Sequence, residues 1–329
     1  MDINRYTPSY GVSKKHMLRL ADFSTEELFE ILYATKSMKA KFTAHESTEI
    51  LKGVTVALLF GDTSIRTRAA LEIGIRQLGG YCVNLPYSES DMLAGENIKD
   101  IVSVIARYGA GALVTRGLND KELNEFCKVS TDVSIINSTN KEYIPVQALC
   151  DIFTIWEKKG KLEGLKLAYI GKGGNNAASL IMGGIKCGME ISGATPKKFP
   201  RNPVHVQHAE QYGKIFVTEN PVEAVRGADI VYTDNYGYHT PLSDADKEIL
   251  KPYQVNNNLL NFAQHNALFM HSLPATRGLE VTADVIDGKQ SVVLEQGENK
   301  LHTIKAVLAL LIKYLYSAQF SKTEIARCF

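Results

Sequence analysis

Net charge of either sign is missing from the chain: 37 Lys and Arg stand against 36 Asp and Glu, a formal +1 at pH 7. That balance leaves no electrostatic footprint for nucleic acid or a membrane surface, so any anion site must be local. No C-x-x-C pair occurs. The five cysteines, Cys82, Cys127, Cys150, Cys187 and Cys328, are odd in number. This argues against a disulfide framework and suits a reduced, cytoplasmic protein with buried thiols. Long apolar runs are absent too. The longest near the end, residues 306–312, is too short to span a bilayer. Met1-Asp2-Ile3-Asn4-Arg5-Tyr6 carries no basic region followed by an apolar core, so no signal peptide is expected. Internal repeats and low-complexity tracts are likewise missing. His205 and His208, beside Pro203, read as surface residues rather than metal ligands, and no metal or cofactor is expected.

What is present is ordinary globular material: 329 residues, 45% hydrophobic and 22% charged, enough for two domains with real cores. Phe23-Ser24-Thr25-Glu26-Glu27-Leu28 opens a helix with a capping box (Ser24, Glu27) and a hydrophobic staple (Phe23, Leu28). Strand-like runs follow at 54–60, 81–85, 112–115 and 133–136, with helical patterns between them at 98–108 and 121–128. This alternation predicts a parallel α/β sheet. After a helix around 146–158 a second series begins, with strands at 167–170, 190–192, 215–218, 230–233 and 268–270. Pro221 fits the first residue of a helix capped by Asn220 and ending near Gly227. The fold class is therefore α/β: two domains, each a parallel sheet flanked by helices, joined by the helix near 146–158. A last helix, 303–316, can pack on either domain.

The most telling segment is Ser64-Ile65-Arg66-Thr67-Arg68, where the strand at 54–60 gives way to a helix that stops at Gly79-Gly80. Free backbone N–H groups and the positive end of a helix dipole favour an anion there, and arginine forks bind phosphate bidentately. The segment reads as a cradle for a phosphorylated small molecule. Gly171-Lys172-Gly173 could open a dinucleotide loop, but the third glycine of G-x-G-x-x-G would fall on Asn176, so that signal fails.

Ser64-Ile65-Arg66-Thr67-Arg68 also resembles the Ser-Thr-Arg-Thr-Arg signature of the aspartate/ornithine carbamoyltransferases. Other segments are similar to the family in the same order. They are Gly95-Glu96-Asn97-Ile98-Lys99-Asp100, Val114-Thr115-Arg116, Pro145-Val146-Gln147-Ala148-Leu149 with Asp151, and Gly171-Lys172-Gly173-Gly174-Asn175-Asn176. Tyr232-Thr233-Asp234, His271-Ser272-Leu273-Pro274-Ala275 and Gln296-Gly297-Glu298-Asn299-Lys300-Leu301-His302 complete the series. The resemblance implies an unknotted carbamoyltransferase-like fold. Residues 1–148 would form a carbamoyl-phosphate domain on which a C-terminal helix, 303–329, packs back, and 149–302 an amine or amino-acid domain. It implies transfer of a carbamoyl group from carbamoyl phosphate to ornithine or a related amine, without metal or covalent intermediate, in a homotrimer of arginine metabolism. It also implies a donor site of Ser64, Ile65, Arg66, Thr67, Arg116, Gln147 and Lys300. The amine site would be Asn176, Asp234, Tyr238, His239, His271, Ser272 and Leu273, with Arg66, Arg116, Gln147, Asp234 and Ser272 closest to the chemistry. His302 would be structural.

Departures from the family pattern cluster at the same places. Ile65 stands for a threonine, Ile144 for a histidine that contacts the carbamoyl oxygen, Ser272 for a cysteine and Lys300 for an arginine. Isoleucine donates no hydrogen bond, and lysine offers a point charge instead of a planar fork. The Ser-Met-Gly loop of ornithine enzymes is replaced by Asn235-Tyr236-Gly237-Tyr238-His239-Thr240. Tyr236-Gly237 and Ala275-Thr276-Arg277-Gly278 resemble putrescine enzymes instead. Two alternatives follow from these changes: a lapsed member that only binds a ligand or regulates, or a transferase using another acyl phosphate.

Overall fold

A computed structural model describes residues 1–62, 64–87, 95–199, 203–237 and 241–316, without the side chains of 203–205 and 313–316. The chain forms two compact units. One comprises Tyr6–Phe153 and the chain from Asn299 on; the other comprises Met1–Arg5 and Thr154–Glu298.

In the first unit the order is α1 (Thr25–Thr43), β1 (Thr55–Phe60), α2 (Ile65–Gln77), β2 (Tyr81–Pro86), α3 (Ile98–Arg107), β3 (Ala110–Arg116), α4 (Asp120–Val129), β4 (Ser134–Thr139) and α5 (Pro145–Lys159). The strands pair in parallel in the order β2-β1-β3-β4. β3 is buried along its whole length, as an apolar run inside a parallel sheet must be. β4 is buried although last in the order, because Met17 bridges to it: Met17 N donates to Ile135 O and Asn137 N donates to Met17 O. The Ser24–Glu27 capping box opens α1 as its sequence predicts.

The second unit continues with β5 (Lys166–Ile170), α6 (Asn175–Lys186), β6 (Glu190–Ala194), α7 (Pro203–Glu210), β7 (Ile215–Thr218), α8 (Pro221–Val225) and β8 (Ile230–Thr233). It ends with α9 (Asp244–Leu250), α10 (Asn257–Leu260), β9 (Leu268–His271), α11 (Ala283–Ile286) and α12 (Val293–Tyr316). Its sheet is again parallel, in the order β7-β6-β5-β8-β9. Asn220 caps α8 and Pro221 is its first residue.

The last helix corrects the sequence reading. It starts at Val293, not 303, and only its part up to Tyr316 lies among the described residues. Its early turns are polar: Gln296 accepts from His271 N in the second unit, and Lys300 donates to Thr67 in the first. From Asn299 on it packs closely on the first unit. A Cβ at Gly74 of α2 would meet Lys305 Cγ at 3.3 Å, and one at Gly111 of β3 would meet Val54 Cγ1 at 2.7 Å and Ile312 Cγ2 at 3.1 Å. We expect Gly111→Val to cost roughly 2 kcal/mol or more by overpacking, read as a lower urea midpoint; an unchanged midpoint would contradict this packing.

In each sheet the strand order reverses once, between β1 and β3 and between β5 and β8. Ligands of open parallel sheets bind beyond the carboxyl ends of the strands at such switch points. The sequence places its signature residues there: Ser64–Arg68 follows β1 and Arg116 ends β3, while Gly171–Asn176 follows β5 and Asp234 follows β8.

Candidate active site

In the first unit, Ser64 is the N-cap of α2 and its side chain accepts from Thr67 N. Its hydroxyl also donates to Thr67 Oγ1 at 3.1 Å, and Lys300 Nζ donates to the same oxygen at 2.9 Å. Both lone pairs of that hydroxyl are thus engaged, which leaves its own proton for a ligand oxygen. Thr67 is buried, whereas Arg66 and Arg68 are exposed, Arg68 lying 5.9 Å from the Phe60 ring centroid. Ile65 is 87% exposed. An apolar side chain in the open, at the first position of a cationic helix N-terminus, is a feature that core packing does not explain.

Arg116 is 7% exposed and pairs through Nε with Asp62 Oδ1. That contact occupies one edge of the guanidinium, and the remaining N–H groups keep the fork geometry that suits an oxyanion or phosphate. Gln147, in the first turn of α5, is buried and donates through Nε2 to Asp151 Oδ1 at 2.8 Å. The amide's orientation is thereby set by a carboxylate one turn on. Ile144 directly precedes α5, and its carbonyl accepts from Ala148 N. Lys300 is only partly exposed, and its pKa is pushed down to about 8. Burial is the main cause; Cys150 and Asp151 oppose it, while Arg116 and Arg66 add to it. Lys300 thus donates to the Thr67 hydroxyl, and Arg66 and Arg116 lie near enough to Lys300 to help lower its pKa.

The second unit carries a different chemistry. Asp234, one residue past β8, accepts from the Tyr169 hydroxyl at 2.7 Å. Burial raises its pKa; the bond from Tyr169 opposes this most strongly, His271 and Asn176 also oppose it, and Glu280 reinforces it. Asn176, in the first turn of α6, is buried; its Nδ2 donates to Tyr232 Oη at 2.9 Å and to Ser272 Oγ at 3.3 Å. Its Oδ1 is buried with no hydrogen-bond partner among the described residues, an acceptor suited to an N–H donor. His271 ends β9. Its Nδ1 accepts from Leu273 N at 2.8 Å, so the ring proton sits on Nε2, 3.4 Å from Glu280 Oε1. Both side chains are fully buried. Glu280 also accepts from Thr276 N and from Asn235 Nδ2 at 3.5 Å. Leu273 holds a left-handed backbone, φ 43°, a strained conformation that clusters at ligand sites. Two carboxylates, an imidazole and an amide oxygen are gathered here, chemistry that would suit a cationic or N–H-rich ligand.

The sequence-derived residues thus fall into two sets. Ser64, Thr67, Arg116 and Lys300 are assembled by the first unit, with Arg66, Ile65 and Gln147 on the same helix starts. Asn176, Asp234, His271, Ser272 and Leu273 are assembled by the second. Tyr238 and His239 lie outside the described residues. His302 packs on Phe42, ring centroids 5.2 Å apart. The sequence reading missed Asp62, Tyr169, Glu280 and Gln296, whose Oε1 accepts from His271 N at 3.0 Å. Glu280 follows Arg277-Gly278 by two residues, and extending that stretch would have found it.

Two family models match the chain. Residues 15–157 match the carbamoyl-P binding domain of aspartate/ornithine carbamoyltransferase, and residues 163–311 match its Asp/Orn binding domain. An ornithine carbamoyltransferase of Thermococcus kodakarensis is 39% identical over 309 residues, covering 92% of this chain and 98% of that protein. One from Hyperthermus butylicus is 40% identical over 315 residues, covering 93% and 98%. The solved ornithine carbamoyltransferase of Pyrococcus furiosus superposes with a TM-score of 0.87 at 37% identity, covering 91% of this chain and 97% of that one.

Proposed function

The chain belongs to the aspartate/ornithine carbamoyltransferase family, and on that footing we propose that it moves a carbamoyl group from carbamoyl phosphate to the amino group of ornithine or a related amine. The observation that carries this is the Thr67 hydroxyl, fixed by Ser64 and Lys300 with its proton left for a ligand. Ser64, Arg66 and Thr67 take the donor's phosphate. Arg116 and Thr67 take its carbonyl oxygen, and Gln147, oriented by Asp151, takes the carbamoyl nitrogen. Asp234 and the Asn176 amide oxygen hold the acceptor. Its neutral amino group attacks the carbonyl carbon, the C–O bond to phosphate breaks, the amine's displaced proton leaves with the phosphate, and the products are a ureido compound and hydrogen phosphate. Catalysis is positioning plus stabilisation of the tetrahedral oxyanion and the leaving phosphate. With Ile144 unable to donate, Arg116 and Thr67 carry the oxyanion.

Tyr236-Gly237 and Ala275-Thr276-Arg277-Gly278, together with the missing Ser-Met-Gly, support a diamine such as putrescine as a second acceptor to be compared with ornithine. Homotrimeric assembly, a cytoplasmic setting and a place in arginine metabolism belong to the same reading. Sedimentation equilibrium giving a monomer would count against the assembly. Amine-dependent phosphate release tests the function: ornithine, putrescine or a close relative should accelerate release from carbamoyl phosphate, and failure of all of them would overturn it.

Lys300 gives this reading a pH signature. Its ammonium is charged below about 8 and lost above it, so kcat/KM for carbamoyl phosphate should fall as pH rises through that value. In Lys300→Arg, whose guanidinium stays charged, the fall should vanish. An unchanged profile in that variant would show that Lys300 does not serve the donor.

A further inference from the structure

Tyr169 and Tyr232 are direct partners across the central strand pair β5 and β8, their rings nearly parallel at 22° with centroids 6.2 Å apart. Both are fully buried, and a phenylalanine would fill the same space. Their hydroxyls divide the work. Tyr232 Oη accepts from Asn176 Nδ2 at 2.9 Å and from Gln296 Nε2 at 3.4 Å. Tyr169 instead donates to Asp234 Oδ1 at 2.7 Å. A buried carboxylate needs such a donor, because desolvation favours its neutral form.

We propose that Tyr169 is a positioning residue for the acceptor: its O–H fixes the Asp234 carboxylate and keeps it the anion that receives the acceptor's cationic group. This rests on the reading of Asp234 as the acceptor's holder. Every element around Asp234 contributes a group. Tyr169 comes from β5, Asn176 from α6, His271 from the end of β9, Tyr236 from the following loop, and Glu280 from the segment after Pro274. Tyr169 donates a hydrogen bond that favours the anion, and His271 and Asn176 favour it too, while Glu280, itself a carboxylate, opposes it. Of the favourable influences, that of Tyr169 is the largest, so its removal should be felt as protonation of Asp234 at a higher pH.

The experiment compares Tyr169→Phe with the unmodified protein as the ratio of their kcat/KM values for the acceptor across pH. The acceptor's own titration is common to both and cancels. The ratio should be nearly level at alkaline pH and fall by about tenfold toward acid, as the acid limb moves upward. Loss of packing alone would lower the ratio equally at every pH, and a level ratio overturns the proposal. Asp234→Asn separates the two readings. If that variant keeps the full acceptor kcat/KM, the assignment of Asp234 itself has failed. If it is crippled while Tyr169→Phe gives a level ratio, only the role of Tyr169 has failed.

Discussion

Replacing Arg116 by alanine is expected to lower kcat/KM for carbamoyl phosphate by about a thousandfold or more. Removal of one oxyanion donor costs roughly a hundred- to thousandfold in other enzymes. Here the site has fewer donors to share the charge, since Ile144 offers none. Arg116 is also buried and already paired with Asp62 through Nε. Its loss leaves the Asp62 carboxylate unbalanced, and under the proposed function this adds repulsion of the donor phosphate to the missing attraction. Steady-state kinetics at saturating acceptor would read the loss. Arg116→Lys restores charge but not the fork, so it should recover only part of it. A loss below about tenfold in the alanine variant would show that the oxyanion is held elsewhere.

The second large effect falls on the acceptor alone. Asp234→Asn should reduce kcat/KM for the amine by about a hundredfold or more, as truncating one partner of a desolvated charge pair does, while KM for carbamoyl phosphate stays near its original value. The split follows from the assembly of each residue set within its own unit: Asp234 accepts from Tyr169 in the second unit, and Thr67 accepts from Lys300 in the first. The asparagine keeps the shape and can still accept from Tyr169, so a folding defect is not expected. Circular dichroism and the thermal midpoint check that point. Equal losses in both substrates' kinetics would refute the division.

Much of this was legible because short polar motifs at strand ends leave strong marks. Ser64–Arg68 stands out where an apolar strand becomes a helix, and the structure puts it at the sheet's switch point. Asp234, implied by the family resemblance, lies just past β8. What the sequence hid was of two kinds. Tyr169 sits in the run 167–170, which reads as core; only the register of β5 on β8 reveals that its hydroxyl meets Asp234. Asp62 pairs with Arg116, 54 residues on, and Glu280 accepts from Asn235, 45 residues back, and neither pairing leaves a sign in the sequence. The start of α12 was misplaced for a related reason. Gln296, Asn299 and Lys300 face His271, Lys39 and Thr67. With Gly297 among them, they break the apolar periodicity that marks a helix.

The most direct test of the central claim is bond formation. The protein is incubated with carbamoyl phosphate labelled with ¹³C at the carbonyl and with ornithine or putrescine, and the fate of the carbon is followed by NMR with the Arg116→Ala variant in parallel. The account expects a ureido ¹³C resonance that grows with phosphate release in the unmodified protein and is nearly absent in the variant. Phosphate released with the label recovered only as carbonate, or no turnover with any amine, would contradict it.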